Sequence, residues 1–281
     1  MEKHWTISGL QALSGPSVRA LRRDDIHVVY QPIVDLNRGT VFAEEALVRC
    51  KNDVFENPSR LFDQAVKEQA AGRLGRMIRE IAVENCPTRR LFLNLHPAEL
   101  EARWLVRPDD PIGFHDHDVF LEITEAAAFE HHELCLSILA EVRGRTGARL
   151  VIDDFGAGYS NILRIVELEP AIVKLDRALI TDLHRFPRKL GLVRAVVDLC
   201  VQMGAEVVAE GIETRDELRA IQDTGAHYGQ GYVLARPAFP IPDVGWPAKD
   251  DSIRPRDSRP DREDPVDSFV GPPRAHPTTP P

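Results

Sequence analysis

The chain has no run of about 18 apolar residues, so no membrane-spanning helix is expected. It has no neighbouring cysteines: Cys50, Cys86, Cys135 and Cys200 are scattered. That spacing argues against a structural zinc site and a disulfide framework, and it suits a reducing cytoplasm. Positive charge is not in excess, the formal net charge being −9. Binding to a nucleic-acid polymer needs a basic footprint and is not expected. A small anion received by metals or a few arginines is compatible with this balance. The N-terminus lacks a basic segment followed by an apolar one, so it does not read as a secretory signal, and a cytoplasmic location is expected. No glycine-rich phosphate loop precedes a strand lysine, and no His-Arg-Asp sequence lies upstream of Asp154-Phe155-Gly156. A kinase is therefore excluded.

What is present suits a folded enzyme-sized domain. The chain has 281 residues, 43% hydrophobic and 28% charged, enough to bury a sizeable core. Candidate strands begin at His27, Thr40, Arg90, Asp118, Ala148, Ala171 and Ala205, with a weaker one at His227. Helical patterns lie between them. Leu61, Ala65, Leu74, Met77, Ile78 and Ile81 share one such spacing, and Leu192, Val196, Leu199 and Met203 another. The second pattern reads as core, with Gly204 as its stop. Thr214 and Glu217 make a capping box, and Gly225 closes that helix. Repeated βα units imply a parallel sheet covered by helices, and eight strands favour closure. The first two strands are joined only by "DLNRGT", too short for a parallel crossover. The expected fold is therefore an α/β modified TIM (β/α)8 barrel with an antiparallel first strand. It is expected over residues 26–245, after an N-terminal segment 1–25 carrying a short helix. Residues 246–281 are rich in proline and mixed charge and read as a disordered tail. The "PTTP" near its end could dock a proline-recognising partner.

The strands finish on polar residues of metal-binding type. Glu45, Asn94, Glu122, the pair Asp153 and Asp154, Lys174, Glu210 and Gln230 fall on seven different strands. In a βα barrel such ends meet at one mouth. Several carboxylates gathered there push one another's pKa upward unless cations compensate. Oxygen donors suit Mg²⁺ or Mn²⁺, and a pair of ions about 3.5–4 Å apart serves in-line attack on a phosphodiester. Adjacent Asp153 and Asp154 can serve two ions if the backbone turns between them. His115, His117, His131 and His132 lack ligand spacing on a helix and read as surface residues rather than a zinc site.

These motifs resemble the EAL domain family, phosphodiesterases acting on the bacterial second messenger cyclic di-GMP. Glu45-Ala46-Leu47 with Arg49 is the family's namesake motif, preceded by "YQPIVDL". "FLNLHP", "LEITE", "IDDFGAGYSN", "VKLD", "AEGIE" and "QGY" follow in the family's order, over roughly residues 26–240. The resemblance implies that two ions, Mg²⁺ or Mn²⁺, support opening of cyclic di-GMP to linear pGpG. It implies Glu45, Asn94, Glu122 and Asp153 as ligands of one ion, and Asp153, Asp154 and Glu210 around the other. Lys174 would orient the attacking water, and Glu210 would act as general base with Asp154 beside it. Gln31, Leu47, Arg49 and Gln230 would meet the substrate, Arg49 through a phosphate. Glu125 would brace the loop after Asp154, and Glu213 would add loop support in the same surroundings. A homodimer is also implied. Some members only bind the nucleotide or dock proteins, and these usually lack a ligand or part of the aspartate loop. Here every such residue is present, which favours the enzyme over a receptor. Four positions depart from the common pattern: Cys50, Ala126, and His96 and Asn161, where serine is common.

Overall fold

Eight strands close into one barrel in chain order. They are β1 (Ile26–Asp35), β2 (Val41–Cys50), β3 (Leu91–Asn94), β4 (Val119–Thr124), β5 (Arg149–Phe155), β6 (Ile172–Leu175), β7 (Glu206–Ala209) and β8 (Tyr228–Gly229). The structure is a computed structural model; it describes residues 16–246 apart from 102–104, 106, 131 and 158–165. The proline-rich tail beyond Trp246 and Asn161 lie outside the described residues. β1 runs antiparallel to both β2 and β8, and every other pairing is parallel. The reversed first strand follows from the short link to β2, in which Gly39 takes a positive φ of 69°. Trp246 packs over that turn and against the neighbouring core, so the barrel's packing reaches one residue into the segment read as tail.

The helices are α1 (Pro58–Lys67), α2 (Ala71–Asn85), α3 (Pro97–Glu101), α4 (Glu125–Glu130), α5 (His132–Thr146), α6 (Arg177–Ile180), α7 (Pro187–Gln202) and α8 (Arg215–Gln222). The pattern that begins at Leu61 is two helices. Gln69 adopts φ 55°, and Ala70 donates back to the Ala65 carbonyl at 2.7 Å. The buried positions jump five residues there, from Ala65 to Ala70, which one continuous helical face does not allow. On α7 the buried stripe is Val193, Val197 and Cys200, while Leu192 is 54% exposed. Leu192 is thus not core. α7 carries two adjacent apolar stripes, and only packing against the sheet selects between them. The capping box of Thr214 and Glu217 is present, and Gly204 and Gly225 end their helices with positive φ. The described part of the N-terminal segment, residues 16–25, forms two 3-10 turns, Val18–Ala20 and Arg23–Asp25, rather than an α-helix. Ser17 and Arg19 tie it to Glu68. Among the described residues no helix is long and apolar enough to cross a membrane, and Cys50, Cys86 and Cys200 are buried free thiols.

The barrel interior is layered. Ile33, Ala43, Phe92, Phe120, Val151, Ile172, Val208 and Tyr228 form one apolar cluster, a residue from each strand. Phe92 stacks on Phe120 at 4.4 Å, and Phe42 closes the far end against Tyr228 at 3.9 Å. Side chains two residues apart share a strand face. The next inward position on each strand is therefore Gln31, Glu45, Asn94, Glu122, Asp153, Lys174, Glu210 or Gln230. An apolar floor thus carries a polar rim around the whole barrel.

Candidate active site

Strand register sets the rim. Asn94 pairs with Glu122 across β3 and β4, and Asp153 pairs with Thr124 across β4 and β5. Glu45 lies mid-strand in β2, but β2 pairs with β3 only as far as Ala46. Glu45 is therefore at the barrel's mouth, and the rest of β2 extends beyond it with β1. Asp153 and Asp154 would point to opposite faces of a regular strand. Instead the ladder shifts between Ile152 and Phe155, and Asp154 takes φ 57°. This bulge turns the second aspartate back to the first. Asp153, Asp154 and Glu210 each present a carboxylate oxygen, all within 4.8 Å of one another.

Lys174 stands among these acids, fully buried. Its Nζ is 2.6 Å from both Glu122 Oε1 and Glu210 Oε1, 3.3 Å from Asp153 Oδ1 and 3.6 Å from Glu45 Oε1. Burial alone would lower its pKa, but the surrounding carboxylates raise it well above the ordinary lysine value. The ammonium is charged. Glu45 is held by hydrogen bonds from Asn94 Nδ2 at 3.1 Å and Gln230 Nε2 at 2.7 Å. Burial pushes its pKa up, and Lys174 with those two donors outweighs burial, so the net shift is downward. Glu122 goes the other way: burial and the charge of Glu45 raise it well above a normal carboxyl. Its Oε1 meets only the Lys174 ammonium, and its buried Oε2 has no hydrogen-bond partner among the described residues. Asp154 is also raised, by burial and then by Asp153.

Five carboxylates thus share one ammonium. The deficit of positive charge and the orphaned Oε2 of Glu122 are what a hard cation would satisfy. Asn94 adds an amide oxygen of the same donor class. The residues fit a divalent ion, and the acidic cluster can hold one.

Glu210 makes the fit testable. Its pKa is pushed up to about 8, chiefly by burial, with Asp153 and Glu45 adding to the shift and Lys174 opposing it. The unshifted value is 4.5. Folding therefore favours its protonated form. This part of the stability is complete below pH 4.5 and is lost as the pH rises to about 8. A cation competes with the same proton. The rise in melting temperature given by Mn²⁺ is expected to grow between about pH 5 and pH 8, read by thermal unfolding with and without the ion. A pH-independent increment would mean that the ion displaces no proton here.

The remaining candidates lie around this rim. Glu125, at the start of α4, accepts from Gly156 N at 3.3 Å and so touches the loop after Asp154. Glu213 pairs with Arg177 of α6 at 2.9 Å. Gln31 donates to the Ala235 carbonyl at 3.0 Å, tying β1 to the segment after β8. Gln230 is buried and spends its amide on Glu45. Its neighbour Gly231 has no room for a side chain, because a Cβ would lie 2.1 Å from Ile212 O and 2.3 Å from Ile212 N. Backbone atoms cannot rotate aside. Gly231→Ala is expected to displace Gln230 and to cost about 1–3 kcal/mol, measured by denaturant unfolding. Leu47 and Arg49 leave the rim along β2 and line a groove of about 580 Å³ that also includes Asn94. His115 is hydrogen-bonded to the Arg89 carbonyl, away from the rim.

Sequence reasoning missed Arg79. It is 2% exposed on α2, bonded to Glu99 and Asp110. The available signal was an arginine between Ile78 and Ile81 on an otherwise apolar stripe.

The chain matches the family model of the EAL domain over residues 17–237. The cyclic di-GMP phosphodiesterase PA2567 of Pseudomonas aeruginosa is 32% identical over 237 residues, 79% of this chain and 40% of that protein. The cyclic di-GMP phosphodiesterase RocR of the same organism is 29% identical over 239 residues, covering 78% and 59%. The chain thus spans less than two thirds of either relative. Among solved structures, Klebsiella pneumoniae BlrP1 in complex with calcium and cyclic di-GMP aligns with a TM-score of 0.67 at 27% identity, covering 80% of this chain and 58% of that one. The same protein has been solved with manganese and cyclic di-GMP. With its reversed first strand, its eight-strand closure and its polar rim in this order, the chain belongs to the EAL domain family.

Proposed function

We propose that this chain hydrolyses cyclic di-GMP to linear pGpG, using two Mg²⁺ or Mn²⁺ ions. The observation that carries the reading is the completeness of the rim. Five carboxylates and one buried ammonium face one another beside a groove lined by Arg49. Both curated relatives above are named for phosphodiesterase activity on this dinucleotide.

In this reading Glu45, Asn94, Glu122 and Asp153 hold one ion, and Asp153, Asp154 and Glu210 the other. When bound, the ions supply Lewis acidity, neutralising the phosphodiester and favouring in-line attack by water. The chain's own groups do the rest. Arg49 brings a guanidinium to a phosphate, adding charge where the transition state gains it. Lys174, fixed between Glu122 and Glu210, donates to the attacking water and orients it. Glu210 takes the proton from that water. The water oxygen joins phosphorus, the bond from phosphorus to the ribose 3′ oxygen breaks, that oxygen takes up a proton from solvent, and Glu210 releases its proton to solvent. Gln31 and Leu47 border the dinucleotide, Gln230 keeps Glu45 in position for it, and Glu125 and Glu213 support the loops beside the mouth.

Incubation of the purified chain with cyclic di-GMP and Mg²⁺ or Mn²⁺ is expected to yield pGpG by chromatography. Binding without product under either metal would replace hydrolysis with a receptor role.

A further inference from the structure

The groove beside the rim holds a feature that metal binding and water activation do not use. Phe62 of α1 and His96, two residues beyond Asn94, lie parallel, with ring centroids 5.4 Å apart and planes 4° apart. Both rings are half-buried, and both line the groove together with Arg49. Stacked with an offset, the two rings present the exposed part of their π surface to the groove as a ledge. We infer that this ledge stacks one guanine base of the dinucleotide and so sets where the ligand lies relative to Arg49 and the rim. The inference rests on the cyclic di-GMP reading above and names the residues that select its base.

The ledge is held from below. His96 Nδ1 accepts from Ala98 N at 3.2 Å, which fixes the ring, and His96 N donates to Glu99 Oε1 at 3.1 Å. Glu99 is fully buried, with Oε2 2.5 Å from Nη1 of Arg79, and Nη2 of Arg79 is 2.9 Å from Asp110. Gly75 on α2 leaves space for this carboxylate, since a Cβ there would lie 1.8 Å from Glu99 Oε2. A buried ion cluster therefore sets the backbone under His96. A surface ordered in advance costs less to bind.

Base choice follows from the neighbouring charge. Asp63, next to Phe62, lines the same groove. A carboxylate accepts from the N1–H and exocyclic N–H donors of guanine but faces a lone pair at N1 of adenine. The wall therefore favours guanine.

The test compares wild type with His96→Ser, His96→Trp, Phe62→Leu and Asp63→Ala. Loss of one stacked base is worth about tenfold in affinity. With Mn²⁺, His96→Ser and Phe62→Leu are expected to raise KM for cyclic di-GMP about tenfold, with kcat within about twofold. His96→Trp restores KM, and Asp63→Ala narrows the preference for cyclic di-GMP over cyclic di-AMP. In metal-free wild type, the ring protons of His96 shift upfield in the NMR spectrum when cyclic di-GMP binds. Thermal unfolding identifies any variant that fails to fold, and the other ring deletion then carries the comparison. If both folded ring deletions match wild type in KM while cyclic di-GMP is still cleaved, the ledge is overturned and the hydrolytic reading stands. A wild-type chain that neither binds nor cleaves cyclic di-GMP overturns both.

Discussion

Glu45→Ala is expected to lower pGpG formation by at least about 10²–10³-fold. Glu45 is the rim carboxylate supplied by β2, and both of its oxygens are engaged, by Asn94 and by Gln230. Its removal takes away a proposed metal ligand and the acceptor for two buried amides. Glu45→Gln is no remedy, because its own amide protons would face those of Gln230 or Asn94. The loss should be read as product per enzyme, with Mn²⁺ affinity measured separately by calorimetry. Weakened metal uptake is expected to accompany lost turnover. A Glu45→Ala chain that retains a tenth of wild-type activity would remove this carboxylate from the reaction.

Lys174→Met is expected to have the largest effect on stability. The side chain is 1% exposed and contacts four carboxylates. Deleting one partner of a buried ionic group costs about 3–5 kcal/mol, because the charges left behind have no compensation. The acids would instead take up protons, and Glu122, already raised, would rise further. The metal-free variant should therefore melt well below wild type and lose more stability toward alkaline pH. A divalent cation can replace the missing charge, so Mn²⁺ should raise the variant's melting temperature more than that of wild type. Turnover should not return with it, since in the proposed reaction the attacking water is oriented by a donor at that position; general acid–base groups contribute about 10²–10⁴-fold. Equal Mn²⁺ increments for the two proteins would show that the lysine does not stand in for cationic charge at the rim.

Much of this arrangement was open to reading without coordinates. Strands alternate faces, so each apolar residue of the barrel floor is followed two positions later by a rim residue. Phe92 leads to Asn94, Phe120 to Glu122, Val151 to Asp153, Ile172 to Lys174, Val208 to Glu210 and Tyr228 to Gln230. The same step relates Ala43 to Glu45 and, in reverse along the antiparallel strand, Ile33 to Gln31. The sequence reading took the polar end of each step but not the step itself, and so did not place Gln31 in the rim. Asp154 was harder, because its side chain reaches the rim only through a bulge and a left-handed backbone. Aspartate tolerates that conformation without announcing it.

By itself, the order of apolar and polar residues determined the barrel, its reversed first strand and the set of acids at its mouth. Those properties depend on local period and on link length, which a linear chain carries directly. Only the tertiary structure decided which stripe of α7 faces inward, where the helix after Leu61 breaks, and that Lys174 touches four acids at once. It alone brought Phe62 against His96 and joined Arg79 to the Glu99 carboxylate that holds the His96 backbone. Such contacts join residues far apart in the chain, and closure of the barrel sets their distances.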